Sequence, residues 1–93
     1  MRRVVHVRLE GRVQGVGFRA WTVREAERRN LDGWVRNRAD GSVEALFAGE
    51  AESVSAMMDA CRRGSAYAIV VTLAELPPLP DPGPGFRVLP TER

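Results

Sequence analysis

The stretch Gly11-Arg12-Val13-Gln14-Gly15-Val16-Gly17-Phe18-Arg19 joins two segments of different periodicity. Before it, from Val4 to Glu10, Val5, Val7 and Leu9 alternate with His6, Arg8 and Glu10, the pattern of a half-buried strand. After it, Arg19 to Arg29 contains neither glycine nor proline and is rich in helix formers. Phe18, Trp21, Thr22 and Ala26 share one face of that predicted helix, with Arg24, Glu27 and Arg28 outside. The stretch is thus a strand-to-helix loop whose glycines let the backbone curl where side chains would clash. Curled peptide groups ahead of a helix start aim several N–H donors at one point, and the helix dipole adds positive potential there. Arg19, at the mouth of the helix, adds a planar guanidinium fork suited to phosphate or carboxylate. Taken alone, the glycines fit a plain tight connection equally well, because short glycine motifs have low specificity.

Further along, Asn30 stands where a left-handed cap would end the helix. Asp32 to Arg38 reads as a second strand, with Val35 and Asn37 on one side and Trp34, Arg36 and Arg38 on the other. Asp40-Gly41 signals a hairpin, and Ser42 to Ala48 forms the third strand with Val43, Ala45 and Phe47 in phase. Glu50 to Arg63 carries Val54, Met57, Met58 and Cys61 at helical spacing, with Arg62 and Arg63 in the last turn and Gly64 as the stop. Tyr67 to Leu76 is an apolar, β-branched strand. Leu76 to Gly85 holds five of the six prolines, which makes it an extended connector, and Phe86 to Leu89 leaves room for a short closing strand. The order β-α-β-β-α-β predicts an α+β, ferredoxin-like sandwich, an antiparallel sheet with two helices on one face, as a single domain over residues 1–93.

Charge is uneven. Residues 1–38 hold ten arginines against four acids, and the remainder four against eight, for a net charge of +2. All 14 basic residues are arginine, which excludes lysine Schiff-base chemistry and any phosphate loop built on lysine. A positive front half attracts a small anion. The single cysteine, Cys61, forms no internal disulfide and points to a reducing, cytoplasmic setting. No apolar run approaches the ~20 residues of a membrane span, and Arg2-Arg3 is not followed by a signal-peptide core.

The candidate catalytic groups are few. His6 is the lone histidine, so no His/Cys metal cluster is available, and on its strand face it reads as a partly exposed surface residue. Cys61 reads as a buried small hydrophobe, Glu44 and Glu50 as members of solvated faces, and Trp21 and Trp34 as packing residues.

The loop Gly11–Arg19 resembles the signature loop of the acylphosphatase family. A second family signature recurs as Gly33-Trp34-Val35-Arg36-Asn37, followed by Asp40-Gly41-Ser42-Val43-Glu44. The resemblance is strong over residues 4–49 and weak from Ser65 onward. It implies the same ferredoxin-like fold and hydrolysis of acyl phosphates with no metal and no cofactor. It gives Arg19 the role of phosphate-binding arginine and Asn37 that of holding the nucleophilic water through its side-chain amide. The main-chain N–H groups of Gln14, Gly15, Val16, Gly17 and Phe18 would bind the other phosphoryl oxygens. Such a site has no general acid or base, and an acyl phosphate needs none. Its leaving carboxylate has a conjugate-acid pKa of about 4, and its own oxygens can accept the proton of water.

The chain departs from the family at three places. Arg29-Asn30 replaces a usual Leu-Gly step. Gly64-Ser65-Ala66 and an apolar Ala68-Ile69-Val70-Val71 replace a Gly-Ser-Pro or Gly-Pro step and a charged pair. The connector is unusually rich in proline. The expected partner is a small-molecule acyl phosphate or inorganic phosphate, with neither membrane nor nucleic acid. A monomer is expected, although an apolar edge strand would allow a dimer. The alternatives are a non-catalytic phosphate- or anion-binding module, like similar domains within larger carbamoyl-transferring maturation proteins, and an RNA-binding one. The latter lacks strand-borne aromatics, because the first strand has none and the third has only Phe47, in phase with the core.

Overall fold

Alternation in the first strand carries beyond the apolar residues that reveal it. In the computed structural model, which describes residues 1–92, β1 runs from Arg2 to Arg12. It is followed by α1 (Phe18–Arg28), β2 (Asp32–Asn37), β3 (Val43–Glu50), α2 (Ala51–Arg63), β4 (Ile69–Glu75) and β5 (Phe86–Val88). The strands form one sheet in the order β4-β1-β3-β2-β5. β1, β2, β3 and β4 pair antiparallel, while β5 lies parallel to β2, with Val35 opposite Val88. The expected βαββαβ order and ferredoxin-like α+β fold are present, with the closing strand added at the far edge.

Register explains the core. Val5 faces Phe47, Val7 faces Ala45 and Leu9 faces Val43 across β1 and β3, while Val35 faces Ala45 from β2. Successive strand residues point to opposite faces, so these side chains share one face. There they cluster with Phe18 and Ala26 of α1 and with Val54, Met57 and Cys61 of α2. Each fully buried aliphatic or aromatic side chain of this kind stabilises the fold by about 1.5–3 kcal/mol. Trp21 is only half-buried and stacks on Phe18 with ring centres 5.3 Å apart. Asn30 takes φ 57°, the left-handed ending expected of it. The β2–β3 turn is held by Asp40, whose Oδ1 accepts bonds from the Ser42 amide at 2.9 Å and hydroxyl at 2.6 Å.

The second face of the sheet corrects two expectations. His6 is 9% exposed and Glu44 3%, so neither lies on a solvated surface. The reason is the proline-rich connector, which leaves β4 at one edge of the sheet and must reach β5 at the other. Its contacts trace the route. The Leu76 amide donates to the His6 carbonyl at 2.7 Å, and the Pro77 carbonyl lies 3.0 Å from His6 Nδ1. Asp81 receives the Arg2 guanidinium at 2.6 and 2.9 Å, and the Gly85 amide donates to Asp32 at 2.9 Å. Arg2 holds the Asp81 carboxyl down to about 2.

Beneath this cover, Glu44 accepts from Arg36 Nε at 2.8 Å and lies 2.5 Å from His6 Nε2. A carbonyl oxygen can only accept, so His6 Nδ1 is the donor toward Pro77. Trp34, on the same face, is flanked by His6 at 6.0 Å and by Arg36 at 5.0 Å. Phe47 is fully buried on the opposite face. Among the described residues no helix is long and apolar enough to cross a membrane.

Two outcomes follow from this burial. Desolvation would raise the Glu44 carboxyl, but the bonds from Arg36 and His6 overcome it and hold it below 4.5. The unfolded chain therefore takes up a proton first, and stability is lost as pH falls through 4.5 and below. Glu44→Gln is expected to flatten that acid limb in thermal melts between pH 6 and pH 3, and to cost about 1–3 kcal/mol at pH 7. Burial also pushes the Cys61 thiol up to about 12, so iodoacetamide at pH 7.5 is expected to label it only after unfolding.

Candidate active site

The bend between β1 and α1 is made by two glycines with the same unusual torsion. Gly15 and Gly17 both have φ 75°, while Gln14, Val16 and Phe18 keep negative φ. A Cβ built on either glycine meets nothing within 4 Å, so torsion rather than crowding selects glycine here. Alternating signs of φ turn successive N–H groups to the same side, the geometry of an anion-binding nest. Among the described residues, no protein acceptor meets the main-chain N–H of any residue from Gln14 to Ala20. The first helical bond is donated by Trp21 to the Gly17 carbonyl at 3.1 Å.

The start of α1 is otherwise undressed. Gly17 supplies no capping side chain, and no acid lies in the first turn, whereas α2 has Glu52 in its first turn. The positive end of the α1 dipole is therefore left facing the loop. Gly15, Gly17, Phe18 and Arg19 line one open cavity of about 360 Å³, to which Val88 of β5 contributes. Among the described residues Arg19 has no carboxylate within ion-pair distance. Helix dipole, unpaired amides and guanidinium thus surround one cavity, a combination that can hold a tetrahedral anion.

The remaining site residues are placed differently. Val16 lines an adjoining cavity. Gln14 turns its side chain away and donates to the carbonyls of Arg38 and Ser42, both at 2.8 Å, which ties the loop to the β2–β3 turn. Asn37 is the last residue of β2 and faces the helix side, 9% exposed. It is not among the residues lining the cavity of Arg19. Its Oδ1 is buried and meets no protein donor, a condition that costs about 1–3 kcal/mol unless another donor is supplied. Its carbonyl accepts from the Glu92 amide at 2.9 Å. Among the described residues no group of three His, Cys, Asp or Glu side chains could hold a metal ion.

Val13, Ala20 and Val88 also line the cavity, and nothing in the sequence marks them, or the side chain of Gln14, as part of the site. Val88 reaches the cavity through the short closing strand, whose place beside β2 three residues are too few to encode. The Gln14 side chain acts as a brace, a role separate from that of its amide N–H.

The chain was compared with known proteins. The family described as Acylphosphatase matches residues 5–88. An acylphosphatase of Azorhizobium caulinodans is 50% identical over 92 residues, covering 98% of this chain and 99% of that one. An acylphosphatase of Nitrobacter winogradskyi is 51% identical, covering 95% of each. The crystal structure of acylphosphatase from Bacillus subtilis superposes with a TM-score of 0.87 at 33% identity, covering 96% of this chain and 99% of that one. On the family match and these near full-length relatives, the chain belongs to the acylphosphatase family.

Proposed function

We propose that this chain hydrolyses acyl phosphates by binding the phosphoryl group in the Gly15–Arg19 cavity and directing water onto it from Asn37. The observation that carries this reading is the set of unpaired amides at the undressed start of α1, sharing a cavity with the Arg19 guanidinium. The reaction balances without an added acid or base. Water attacks phosphorus, the P–O bond to the acyl group breaks, and R–CO–O–PO₃²⁻ plus H₂O yields R–COO⁻ plus H₂PO₄⁻. The protons of water end on phosphate oxygens, and the carboxylate leaves unprotonated because its conjugate acid is strong. What the protein supplies is position and charge.

Arg19 and the amides of Gln14, Gly15, Val16, Gly17 and Phe18 neutralise the equatorial oxygens, whose charge the transition state redistributes. The unpartnered Oδ1 of Asn37 supports its role toward water, since it can accept a water proton and fix the direction of attack. The reading places the reaction in a reducing, cytoplasmic compartment, which the single buried thiol of Cys61 supports.

Benzoyl phosphate assayed with excess EDTA tests the proposal, and the wild-type rate is expected to be insensitive to the chelator. Arg19→Lys is expected to lose at least about 10²-fold in kcat/KM, because an ammonium point charge cannot reproduce a planar fork. Asn37→Ala is expected to lose about 10²-fold in kcat with inorganic phosphate affinity nearly unchanged. Equal losses of turnover and phosphate affinity in Asn37→Ala would remove its assigned role. Phosphate binding by the wild-type protein without turnover would leave an anion-binding module. Gly17→Ala forces a side chain into φ 75° and is expected to cost about 1–2 kcal/mol in urea unfolding, with weaker phosphate binding as the loop relaxes.

A further inference from the structure

A second cavity of about 330 Å³ adjoins the first, and the two share Gly17 and Ala20. Its walls come from two separate parts of the chain. Val16, Trp21 and Arg24 belong to the loop and to α1, while Ser65, Ala66 and Tyr67 belong to the link between α2 and β4. Trp21 and Arg24 stand three residues apart on the helix and so lie on one side of it. The lining is largely apolar, and Arg24 can lay its aliphatic stem along it while its charge stays in water. Tyr67 is 76% exposed, a large aromatic held at the rim with little contact to the body of the protein. Of the two described residues that the cavities share, Ala20 presents a methyl group, and space beside Gly17 is open to 4 Å.

We propose that this second cavity receives the acyl part of the substrate and favours bulky apolar acyl groups, aromatic ones above all, over small ones. The inference rests on the reading that phosphate occupies the cavity of Arg19. An acyl phosphate bound there carries its acyl group one bridging oxygen away, and the passage over Gly17 and Ala20 leads from one cavity to the other. The occupant suits the walls, since an aryl or branched acyl body gains from contact with Val16, Trp21 and Tyr67, and an acetyl group is too short to reach them. Ser65 and Ala66, in the link between α2 and β4, supply part of that lining. Acyl preference is thus set by a segment that carries none of the phosphate chemistry.

The test compares kcat/KM for benzoyl phosphate and acetyl phosphate in the wild-type protein, in Tyr67→Ala and in Ala20→Leu. Taking the ratio of the two substrates in each protein, then comparing proteins, cancels their intrinsic reactivities. Tyr67→Ala removes the aromatic rim, and Ala20→Leu narrows the passage on an exposed helical face that tolerates leucine. Each is expected to lower the benzoyl-to-acetyl ratio about tenfold, the scale of one lost apolar contact group. A ratio unchanged in both variants, with both substrates still hydrolysed, would overturn the acyl site and leave the phosphate site standing. Hydrolysis of neither substrate by the wild-type protein would overturn the reading beneath it.

Discussion

Two peptide units in the left-handed region, one residue apart, constrain this protein more than any packing contact does. With Gly15 and Gly17 at φ 75°, the chain passes from strand to helix without closing hydrogen bonds on its own amides. An uncapped helix start and a loop of free donors are both costly in isolation. They are tolerable here because they face solvent, whose water can accept from them, rather than a core. Beneath them, Phe18 is buried to 1%, so the helix that presents these donors is anchored by its first residue. Thr22 Oγ1 adds a bond to the Phe18 carbonyl at 2.8 Å. The loop also has an outer fixing point in Gln14, which reaches the carbonyls flanking the hairpin turn. Curvature, anchor and brace come from three neighbouring residue types, and each has a separate physical task.

The sheet divides its labour between faces. One face meets both helices through aliphatic and aromatic side chains. The other carries an ionic layer in which Glu44 joins His6, Arg36 and, at 3.5 Å, Arg38. Glu92 returns from the end of the chain to meet both arginines, at 3.1 and 3.6 Å. Such a layer contributes little net stability compared with an apolar one, but removing one member leaves buried charge without a partner. It fixes the relation of β1, β2 and β3 by direction as well as by contact. The same strand, β2, therefore carries Arg36 in this layer and Asn37 on the opposite side.

Much of the architecture was legible from local period. Strand alternation, helical spacing and turn chemistry located the seven elements to within two or three residues, and the two signature stretches matched a family over most of the chain. The burial of His6 and Glu44 was not legible by the same means, because alternation reports which residues share a face and not what covers it. A signal did exist in β3, where Leu46 and Ala48 interrupt the polar phase. An apolar residue at nearly every position is the mark of a strand buried on both sides. The parallel pairing of β5 had no such signal, since three residues hold too little pattern to fix a partner. At the site, the glycine spacing made the curl legible. The orphaned oxygen of Asn37 depends on the absence of neighbours in three dimensions, which no spacing encodes.

The fifth strand gives the site an unusual dependence on the far edge of the sheet. Val88 contributes to the cavity of Arg19, and β5 is fastened to β2 by bonds from Gly33 to the Gly85 carbonyl and from Leu89 to the Val35 carbonyl. The cavity thus unites the loop after β1 with a short strand at the far edge of the sheet. Until β5 docks beside β2, the loop and its arginine lack part of their enclosure. Competence of the site therefore waits on a pairing of long sequence separation, whose closure cost weighs on the folding rate.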